Sequence, residues 1–353
     1  MKILQVITSL RIGGAEKLIA EISPMLQEMG NEVDVLVFDG VETHFTNILR
    51  EAGIRIISFG ENCNVYNPLF IFKLAKIMRQ YDVVHTHNTA PQLFSALASL
   101  LCSVMLCTTE HNTSNRRRDW KWYAWIDRWM YGRYKKVICI SDQAKENLLQ
   151  YLPNLNNVCT IFNGVNINKF HTAEPLPDIH KTRSIIVMVA GFRYQKDQDT
   201  LIKAMNLLDK DKYELWLVGD GERRTELEQL VNELNLEDNV KFCGIRSDVE
   251  SILKSSDYVV MSSHFEGLSL SSVEGMSVGK PFIASDVDGL HEVVSGYGIL
   301  FPHQDYRALA AEIVKLSGNK DYYKNVSDKC WERAQMFDIK NMVQSYNKVY
   351  QSL

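Results

Sequence analysis

Two glutamates frame the segment whose residue types and spacing are the most suggestive of chemistry. Glu266 and Glu274 are separated by seven residues, with Glu266 before a predicted helix and Glu274 about two turns into it. The backbone amides of Gly267, Leu268 and Ser269 then form a helix N-terminus, which favours a phosphate group. Glu274 is placed to accept both hydroxyls of a ribose. A hydrolase is an alternative, although hydrolytic carboxylates usually face each other across a sugar.

Two cations form a second group of candidates, after the predicted strand Ile185–Val189. Arg193 and Lys196 lie in the loop that begins at Gly191. A departing diphosphate requires fixed positive charge, which arginine supplies as a fork and lysine as a point charge. A solvated pair of loop charges is the alternative interpretation.

Paired glycines and three histidines lie at the ends of strands predicted in the first half of the chain. Gly13 and Gly14 precede a helix, where backbone N–H groups can approach an anion, and a plain tight turn is an equal alternative. His85, His87 and His111 follow two further strands. A lone histidine there is more often structural, but three at one sheet edge improve the odds of a function. His85 and His87 could chelate a metal ion, but no carboxylate lies close to them in sequence and the spacing is not that of metal ligands, so we expect no metal site.

These candidates require elements that bring strand ends together. Short apolar runs alternate with helix-like segments, which is typical of parallel sheets wrapped by helices, and ligands bind such sheets beyond the carboxyl ends of the strands. Strands are predicted at Lys2–Thr8, Val33–Phe38, Arg55–Phe59, Asp82–His85, Val104–Thr108, Lys136–Ile140, Ile185–Val189, Glu214–Val218, Val240–Phe242, Tyr258–Met261 and Pro281–Ala284.

Length and a polar linker predict two domains. A chain of 353 residues suits two domains, and the polar stretch at 170–182 contains two prolines. We expect one domain at residues 1–172, a second at 182–335, and a closing helix within 336–353.

The composition indicates an ordinary globular protein in a reducing compartment. Hydrophobic residues make up 46%, and the net charge of −4 provides no basic field for nucleic acid. The seven cysteines include no CxxC pair, so neither a disulfide framework nor a zinc site is expected. The apolar run at the N-terminus is too short for a signal peptide. These features predict a cytoplasmic location.

In this order along the chain, the motifs resemble those of the retaining glycosyltransferase family 4. The motifs that carry the resemblance are Gly13–Glu16, Asn163–Val165, Val218–Gly221, Glu266 with Glu274, Gly279–Asp286 and Gly289–Val294. The resemblance implies the GT-B fold, an α/β architecture of two Rossmann-like, doubly wound parallel-sheet domains facing a cleft. The first would bind the acceptor and the second the nucleotide sugar, and the C-terminal helix would pack back towards the first domain.

The resemblance also implies a reaction. It is the transfer, with retention and without a metal, of a sugar from a nucleotide-diphosphate donor, with UDP-sugars favoured. The donor would be a co-substrate, and no cofactor is expected. The acceptor would be a glycan or a lipid-linked glycan, and bacterial surface polysaccharide assembly is the expected setting.

The same resemblance assigns roles to individual residues. Glu274 resembles the glutamate that binds the ribose, and Glu266 resembles the first glutamate of the pair, near the donor sugar. His111 resembles the histidine that reaches the transferred sugar, and Lys196 resembles the lysine that holds the diphosphate. The Gly13–Gly14 loop would lie near the donor phosphates and the acceptor.

One position departs from the family pattern. The family commonly has arginine where this chain has Gly191, and Arg193 is the residue that would replace it. The departure keeps open a non-catalytic scaffold, and an epimerase or hydrolase of sugar nucleotides is a further alternative. A nicotinamide-dependent dehydrogenase is disfavoured because no GxGxxG opens either half.

The segment 116–136 combines aromatic and cationic residues. It contains four of the six tryptophans of the chain. Such a mixture favours a membrane interface with anionic headgroups, which would place the protein peripherally on the inner face of the cell membrane. A core helix with solvated cations is an equally weighted alternative, and single-stranded nucleic acid is disfavoured. The residues proposed to contact acceptor or membrane are Arg116, Arg117, Arg118, Trp120 and Trp122.

Overall fold

The computed structural model describes residues 1–11, 13–111, 120, 123–177, 181–267 and 269–353. Contacts divide the chain into two units, of which the first comprises residues 1–163 with 340–353 and the second residues 164–339. Each unit consists of a parallel sheet covered by helices.

The first unit contains a seven-stranded sheet in the order β3-β2-β1-β4-β5-β6-β7, with parallel pairing throughout. Its central strands are near-continuous buried runs because helices cover both faces. The strand order changes direction between β1 and β4. The strands are β1 (Lys2–Ile7), β2 (Glu32–Val37), β3 (Arg55–Ser58), β4 (Val83–His87), β5 (Met105–Glu110), β6 (Lys136–Cys139) and β7 (Val158–Thr160).

The helices of the first unit begin at local sequence signals. Thr43 forms a capping box with Thr46, and Ser141 caps the helix that follows it. Gly30, at φ +86°, follows the first helix in the left-handed conformation that glycine favours. The helices are α1 (Gly14–Glu28), α2 (His44–Glu51), α3 (Leu69–Met78), α4 (Thr89–Ala98), α5 (Tyr123–Gly132), α6 (Asp142–Tyr151) and the C-terminal α15 (Ile339–Gln351).

The second unit contains a six-stranded parallel sheet in the order β10-β9-β8-β11-β12-β13. The order changes direction between β8 and β11, so a crevice at their carboxyl ends is the expected place for a ligand. The strands are β8 (Ser184–Val189), β9 (Tyr213–Val218), β10 (Val240–Gly244), β11 (Tyr258–Met261), β12 (Phe282–Ser285) and β13 (Ile299–Phe301).

The helices of the second unit connect these strands and close the chain. A 3₁₀ turn at Tyr194–Lys196 precedes the first helix after β8, which Asp197 caps through a hydrogen bond from Thr200 N. The helices are α7 (Ile167–His171), α8 (Gln198–Met205), α9 (Arg224–Glu233), α10 (Val249–Ser255), α11 (Leu270–Ser277), α12 (Leu290–Val294), α13 (Tyr306–Gly318) and α14 (Lys320–Met336).

The predicted fold class is confirmed, and two strands were missed. Each predicted strand overlaps an observed one, with ends that differ by at most two residues. The two missed strands, β7 and β13, have three residues each and lie at sheet edges. A run of three residues, even one as apolar as Ile299–Phe301, is too short for its periodicity to predict a strand.

The division of the chain differs from the expected boundaries of 172 and 182. Residues that follow 163 pack with the second unit, because Val165 forms a parallel bridge with Asp338. The ring of His171 also stacks on Trp331 at 3.9 Å between centroids. Residues 340–353 pack with the first unit, where Tyr346 and Tyr350 are fully buried.

Within the described ranges, no helix combines the length and the apolar character that a membrane crossing requires.

Candidate active site

The structure brings Lys196 and Glu266 together at the switch point of the second sheet. Lys196 lies in the 3₁₀ turn after β8, and Glu266 lies in the loop after the neighbouring strand β11. The Lys196 ammonium donates to Glu266 Oε1 at 2.5 Å, and the Ser263 hydroxyl donates to the same oxygen at 2.6 Å. The Glu266 side chain is buried and that of Lys196 is one-fifth exposed. This site therefore holds one cation and one carboxylate at hydrogen-bond distance.

Backbone hydrogen bonds fix the loop that carries Glu266. His264 N donates to Gln195 O at 2.8 Å, and the Gln195 side-chain amide donates to Phe265 O at 2.9 Å. Two further hydroxyls hold the end of β11: Ser262 donates to Asp197 O, and Ser285 donates to Ser263 O. The loop is therefore positioned by the turn after β8 and by β12.

Gly289 permits the close approach of a second loop to Glu266. Its φ of +79° is in the left-handed region, and an added Cβ would collide with the Gly267 carbonyl oxygen and lie 2.5 Å from that of Glu266. The amide of Glu266 donates to Asp288 O at 3.3 Å. In the sequence, Gly289 is only the first residue of the motif Gly289–Val294, and its residue type alone does not predict this contact.

The remaining donor-site candidates lie at or beside α11. Ser269 is the N-cap of this helix, and its buried side chain forms no capping hydrogen bond. Glu274 lies on the helix and is half-buried, and Gly267 precedes it in the exposed loop. Leu268 lies outside the described residues.

Arg193 lies beside the position where the family pattern has arginine. A Cβ built on Gly191 would lie 4.0 Å from Arg193 Nε and 3.7 Å from Asp220 O, which are ordinary van der Waals distances. Arg193 is exposed. The guanidinium side chain therefore passes over Gly191, and the site also has room for a side chain at 191.

In the first unit, His111 belongs to a network of buried rings. His111 Nε2 lies 2.8 Å from His87 Nδ1, and His87 Nε2 lies 2.9 Å from Gln5 Oε1. His85 is fully buried nearby. Burial lowers the pKa of His85 to about 3 and that of His111 to about 4, and it holds the pKa of His87 well below 6.5. All three rings are therefore neutral at pH 7.

Four members of this network were missed from the sequence: Gln5, Thr109, Tyr346 and Tyr350. The Tyr350 hydroxyl lies 2.6 Å from His85 Nδ1 and accepts from the Gln5 side-chain amide at 3.3 Å. His85 Nε2 lies 2.8 Å from Thr109 Oγ1, and the Tyr346 hydroxyl lies 3.4 Å from that same oxygen, at the other end of the network. Both tyrosines lie on α15, so only the fold brings them to the end of β4.

The glycine pair opens α1 as expected, and an acidic side chain occupies its surroundings. Gly13 has an extended backbone and is the N-cap of α1. The Glu16 carboxylate lies where a side chain at Gly13 would be, and it accepts from the Asn88 amide at 3.4 Å. A carboxylate in the first turn interacts favourably with the helix dipole, as a phosphate would.

In the described part of the chain, one group has ligand atoms spaced for a metal ion. It consists of Asp197, His264 and His303, whose ligand atoms all lie within 4.8 Å of one another. Asp197 already accepts from the Thr200 hydroxyl at 2.7 Å, and the two histidine rings bond to each other at 2.9 Å. Internal hydrogen bonds thus account for this cluster.

Part of the aromatic and cationic segment is described. In α5, Asp127, Met130 and Tyr131 are buried, whereas Trp125 is 77% exposed. Trp120 and Trp129 are exposed as well. Helix α5 therefore has one face in the core and exposes Trp125 and Trp129. The candidates Arg116, Arg117, Arg118 and Trp122 lie outside the described residues.

Two family models match consecutive parts of the chain. The model described as Glycosyltransferase Family 4 matches residues 12–169, and the model described as Glycosyl transferases group 1 matches residues 173–333.

Individual relatives match over most of the chain. An uncharacterized glycosyltransferase of Methanocaldococcus jannaschii is 26% identical, over 97% of this chain and 95% of its own. The Escherichia coli enzyme UDP-Gal:alpha-D-GlcNAc-diphosphoundecaprenol alpha-1,3-galactosyltransferase is 27% identical, over 71% of this chain and 70% of its own. The crystal structure of Anabaena HepE in complex with UDP superposes with a TM-score of 0.85 at 23% identity, covering 100% of both chains.

Proposed function

Because the chain belongs to glycosyltransferase family 4 and has the GT-B architecture, we propose that it transfers a sugar from a UDP-sugar, with retention and without a metal. The observation that carries the proposal is the Lys196–Glu266 pair at the switch point of the second sheet, next to the N-terminus of α11. A diphosphate would take Lys196 as its counter-ion and the amides of this loop as donors.

The choice of UDP rests on the relatives. HepE was crystallised with UDP, and the Escherichia coli relative is named for a UDP-sugar donor. In the proposed reaction, the bond from the anomeric carbon to the diphosphate oxygen breaks, and the acceptor oxygen bonds to that carbon on the same face. The proton of the acceptor hydroxyl passes to the departing phosphate. Lys196 and Arg193 stabilise the charge that develops on the phosphate.

We propose a lipid-linked glycan as the acceptor, in the assembly of a bacterial surface polysaccharide. The Escherichia coli relative is named for a diphosphoundecaprenol acceptor. Exposed apolar residues on the first unit support a membrane-facing role: Leu69 and Phe72 on α3 lie on the same side of the sheet as Trp125 on α5, since α4 packs against both helices. Lys73 and Lys76 are exposed on α3, which adds the positive charge that anionic headgroups attract.

A donor panel tests the proposal. UDP- and GDP-sugars are offered to wild type and to Glu274→Ala, with binding measured by calorimetry and turnover measured with and without membrane lipid extract. We expect one UDP-sugar to bind, binding to be lost in Glu274→Ala, and turnover to require extract. Glu237→Ala, which removes an exposed carboxylate of the same unit, is the matched control and should bind as wild type does.

The other outcomes contradict distinct parts of the proposal. Donor consumption without extract would indicate an epimerase or hydrolase, and no binding of any donor would indicate a scaffold. Turnover that is lost in EDTA and restored by a divalent cation would exclude the metal-independent mechanism. The anomeric configuration of the product, read by NMR, decides between retention and inversion.

A further inference from the structure

A network of hydrogen bonds joins the C-terminal helix to His111. It runs from Tyr350 through Gln5 and His87 to His111, with a branch from Tyr350 through His85. Tyr350, Gln5, His85 and His87 are each at most 1% exposed. Water is therefore excluded from these groups, and each donor has to find its acceptor within the network.

The two partners of the buried Tyr350 hydroxyl indicate where its proton lies. Gln5 Nε2 donates to the phenol oxygen, so the phenol O–H needs a separate acceptor, and His85 Nδ1 lies 2.6 Å away. The phenol thus donates to His85, and its lone pair faces Gln5. The longer 3.3 Å contact to Gln5 is the one in which the amide N–H donates to the phenol oxygen.

The orientation of the Gln5 amide then determines the protonation of the histidines. With its nitrogen towards Tyr350, Gln5 presents Oε1 to His87, so His87 Nε2 carries the proton at this 2.9 Å contact. A neutral imidazole has one donor and one acceptor nitrogen. His87 Nδ1 is therefore the acceptor, and His111 Nε2–H donates to it at 2.8 Å. The proton of His111 lies on Nε2, and Nδ1 has a lone pair.

We propose that Tyr350 is a positioning residue for His111: through Gln5 and His87 it holds the ring with its proton on Nε2, so that Nδ1 can only accept a hydrogen bond. The burial that lowers the pKa of all three histidines keeps the network in this neutral form. The assignment of a sugar hydroxyl as the group that His111 Nδ1 accepts rests on the proposed function, whereas the tautomer does not.

Tyr350→Phe removes the group that orients Gln5. Without the phenol, the Gln5 side-chain amide is free to rotate by 180°, which brings its nitrogen to His87. The donor and acceptor then exchange roles in the contacts from Gln5 to His87 and from His87 to His111. Tyr346→Phe is the matched control, because Tyr346 lies on the same helix, is also fully buried, and places its hydroxyl at Thr109. Its ring contacts to His85 and Tyr350 are ones that phenylalanine retains. This variant leaves the Tyr350–Gln5–His87 contacts in place.

Nitrogen-15 NMR of the histidine rings measures the tautomer directly, with His111→Asn used to assign the His111 signals among the nine histidines. We expect wild type and Tyr346→Phe to have His111 protonated at Nε2, and Tyr350→Phe to have a mixture of tautomers. Protonation of wild-type His111 at Nδ1, or an unchanged tautomer in a folded Tyr350→Phe, would overturn the proposal. The wild-type spectrum decides the first point even if no variant folds.

Turnover provides a second readout. We expect Tyr350→Phe to lower kcat by roughly tenfold with the donor KM nearly unchanged, because the lost interaction acts on the reacting sugar and the nucleotide is held by the second unit. A rise in donor KM at unchanged kcat would contradict the positioning role. If wild type has the expected tautomer but transfers no sugar, the proposed function fails and the tautomer assignment stands.

Discussion

At the scale of single residues, position 191 in the second unit departs from the pattern of the family. Gly191 stands where arginine is common, and the side chain of Arg193 passes within 4.0 Å of the Cβ that position 191 lacks. An arginine two residues along the chain can therefore supply charge to nearly the same place. This geometry supports an active enzyme.

Substitution of Arg193 should show whether it supplies the charge that an arginine at position 191 would supply. Arg193→Ala should lower kcat by about 10²-fold, because a fixed donor to the leaving diphosphate is lost. Gly191→Arg in that background should recover part of the rate, since the backbone at 191 is not left-handed and the site has room. Steady-state kinetics with the bound donor measures both effects.

Arg307→Ala, an exposed arginine of the same unit, is the control and should retain wild-type kinetics. If Arg193→Ala also retains them, Arg193 does not contact the diphosphate.

At the scale of elements, loops at the ends of neighbouring strands hold Glu266. The loop after β12 approaches so closely that a side chain at 289 has no space. Position 296 has nearly the same left-handed φ, +81°, but nothing within 4 Å of an added Cβ. Substitution of Gly296 therefore introduces backbone strain alone, whereas substitution of Gly289 introduces the same strain and a clash with the carbonyls of Glu266 and Gly267.

Gly289→Ala should lower kcat/KM by roughly 10²-fold, because the carbonyls of Glu266 and Gly267 must move away. Gly296→Ala should lose about 1 kcal/mol of stability through the same backbone strain, and its kcat/KM should remain that of wild type. Thermal unfolding of both variants together with donor calorimetry checks this. Equal kinetic losses in the two variants would show that strain alone is responsible.

The exposed tryptophans of α5 are expected to contribute to membrane binding. Trp125→Ser with Trp129→Ser should lower binding to anionic vesicles by at least about tenfold, because two exposed tryptophans no longer enter the interface. Flotation at low and high salt measures the bound fraction. Ile245→Ser, which removes an 85% exposed apolar residue of the second unit, is the control. No binding by wild type at either salt concentration would remove the membrane role.

At the scale of the whole molecule, the two units have separate cores, and the first unit buries histidine side chains. The first unit contains neutral histidines, of which His85 and His87 are fully buried. Their pKa values in the folded state lie below the ordinary 6.5 because burial disfavours the charged ring. The unfolded chain therefore binds more protons than the folded one below pH 6.5.

The free energy of unfolding of the first unit should fall as the pH drops from about 6.5 towards 3. Each such histidine contributes up to about 1.4 kcal/mol per pH unit over that window, and the full stability is present above it. Hydrogen exchange of the backbone amides of β1 and β4 measures the unfolding of the first unit. Tryptophan fluorescence is less suitable, because Trp120, Trp125 and Trp129 are already exposed in the folded first unit.

In His85→Gln, the free energy of unfolding should change less steeply with pH, because about one proton fewer is taken up on unfolding. His44→Gln, at an exposed position, should have the wild-type slope. Equal slopes in the three proteins would show that His85 is protonated in the folded state.

The sequence by itself determined the fold class, nearly all the strands, and the residues that follow them. Apolar runs and turn residues are local signals, so they place Lys196, Glu266 and His111 at strand ends. The pairing of Lys196 with Glu266 was decided by the tertiary structure, because it depends on β8 and β11 being neighbours in the sheet.

The tertiary structure alone decided the partners of His111. Tyr350 and Gln5 are separated by almost the whole chain, and no spacing in the sequence relates them. The space that Gly289 leaves for Glu266 likewise depends on the approach of two loops. Burial and hydrogen-bond partners are properties of packing, so the tautomer and the pKa of a ring arise only when the helix that covers it is in place.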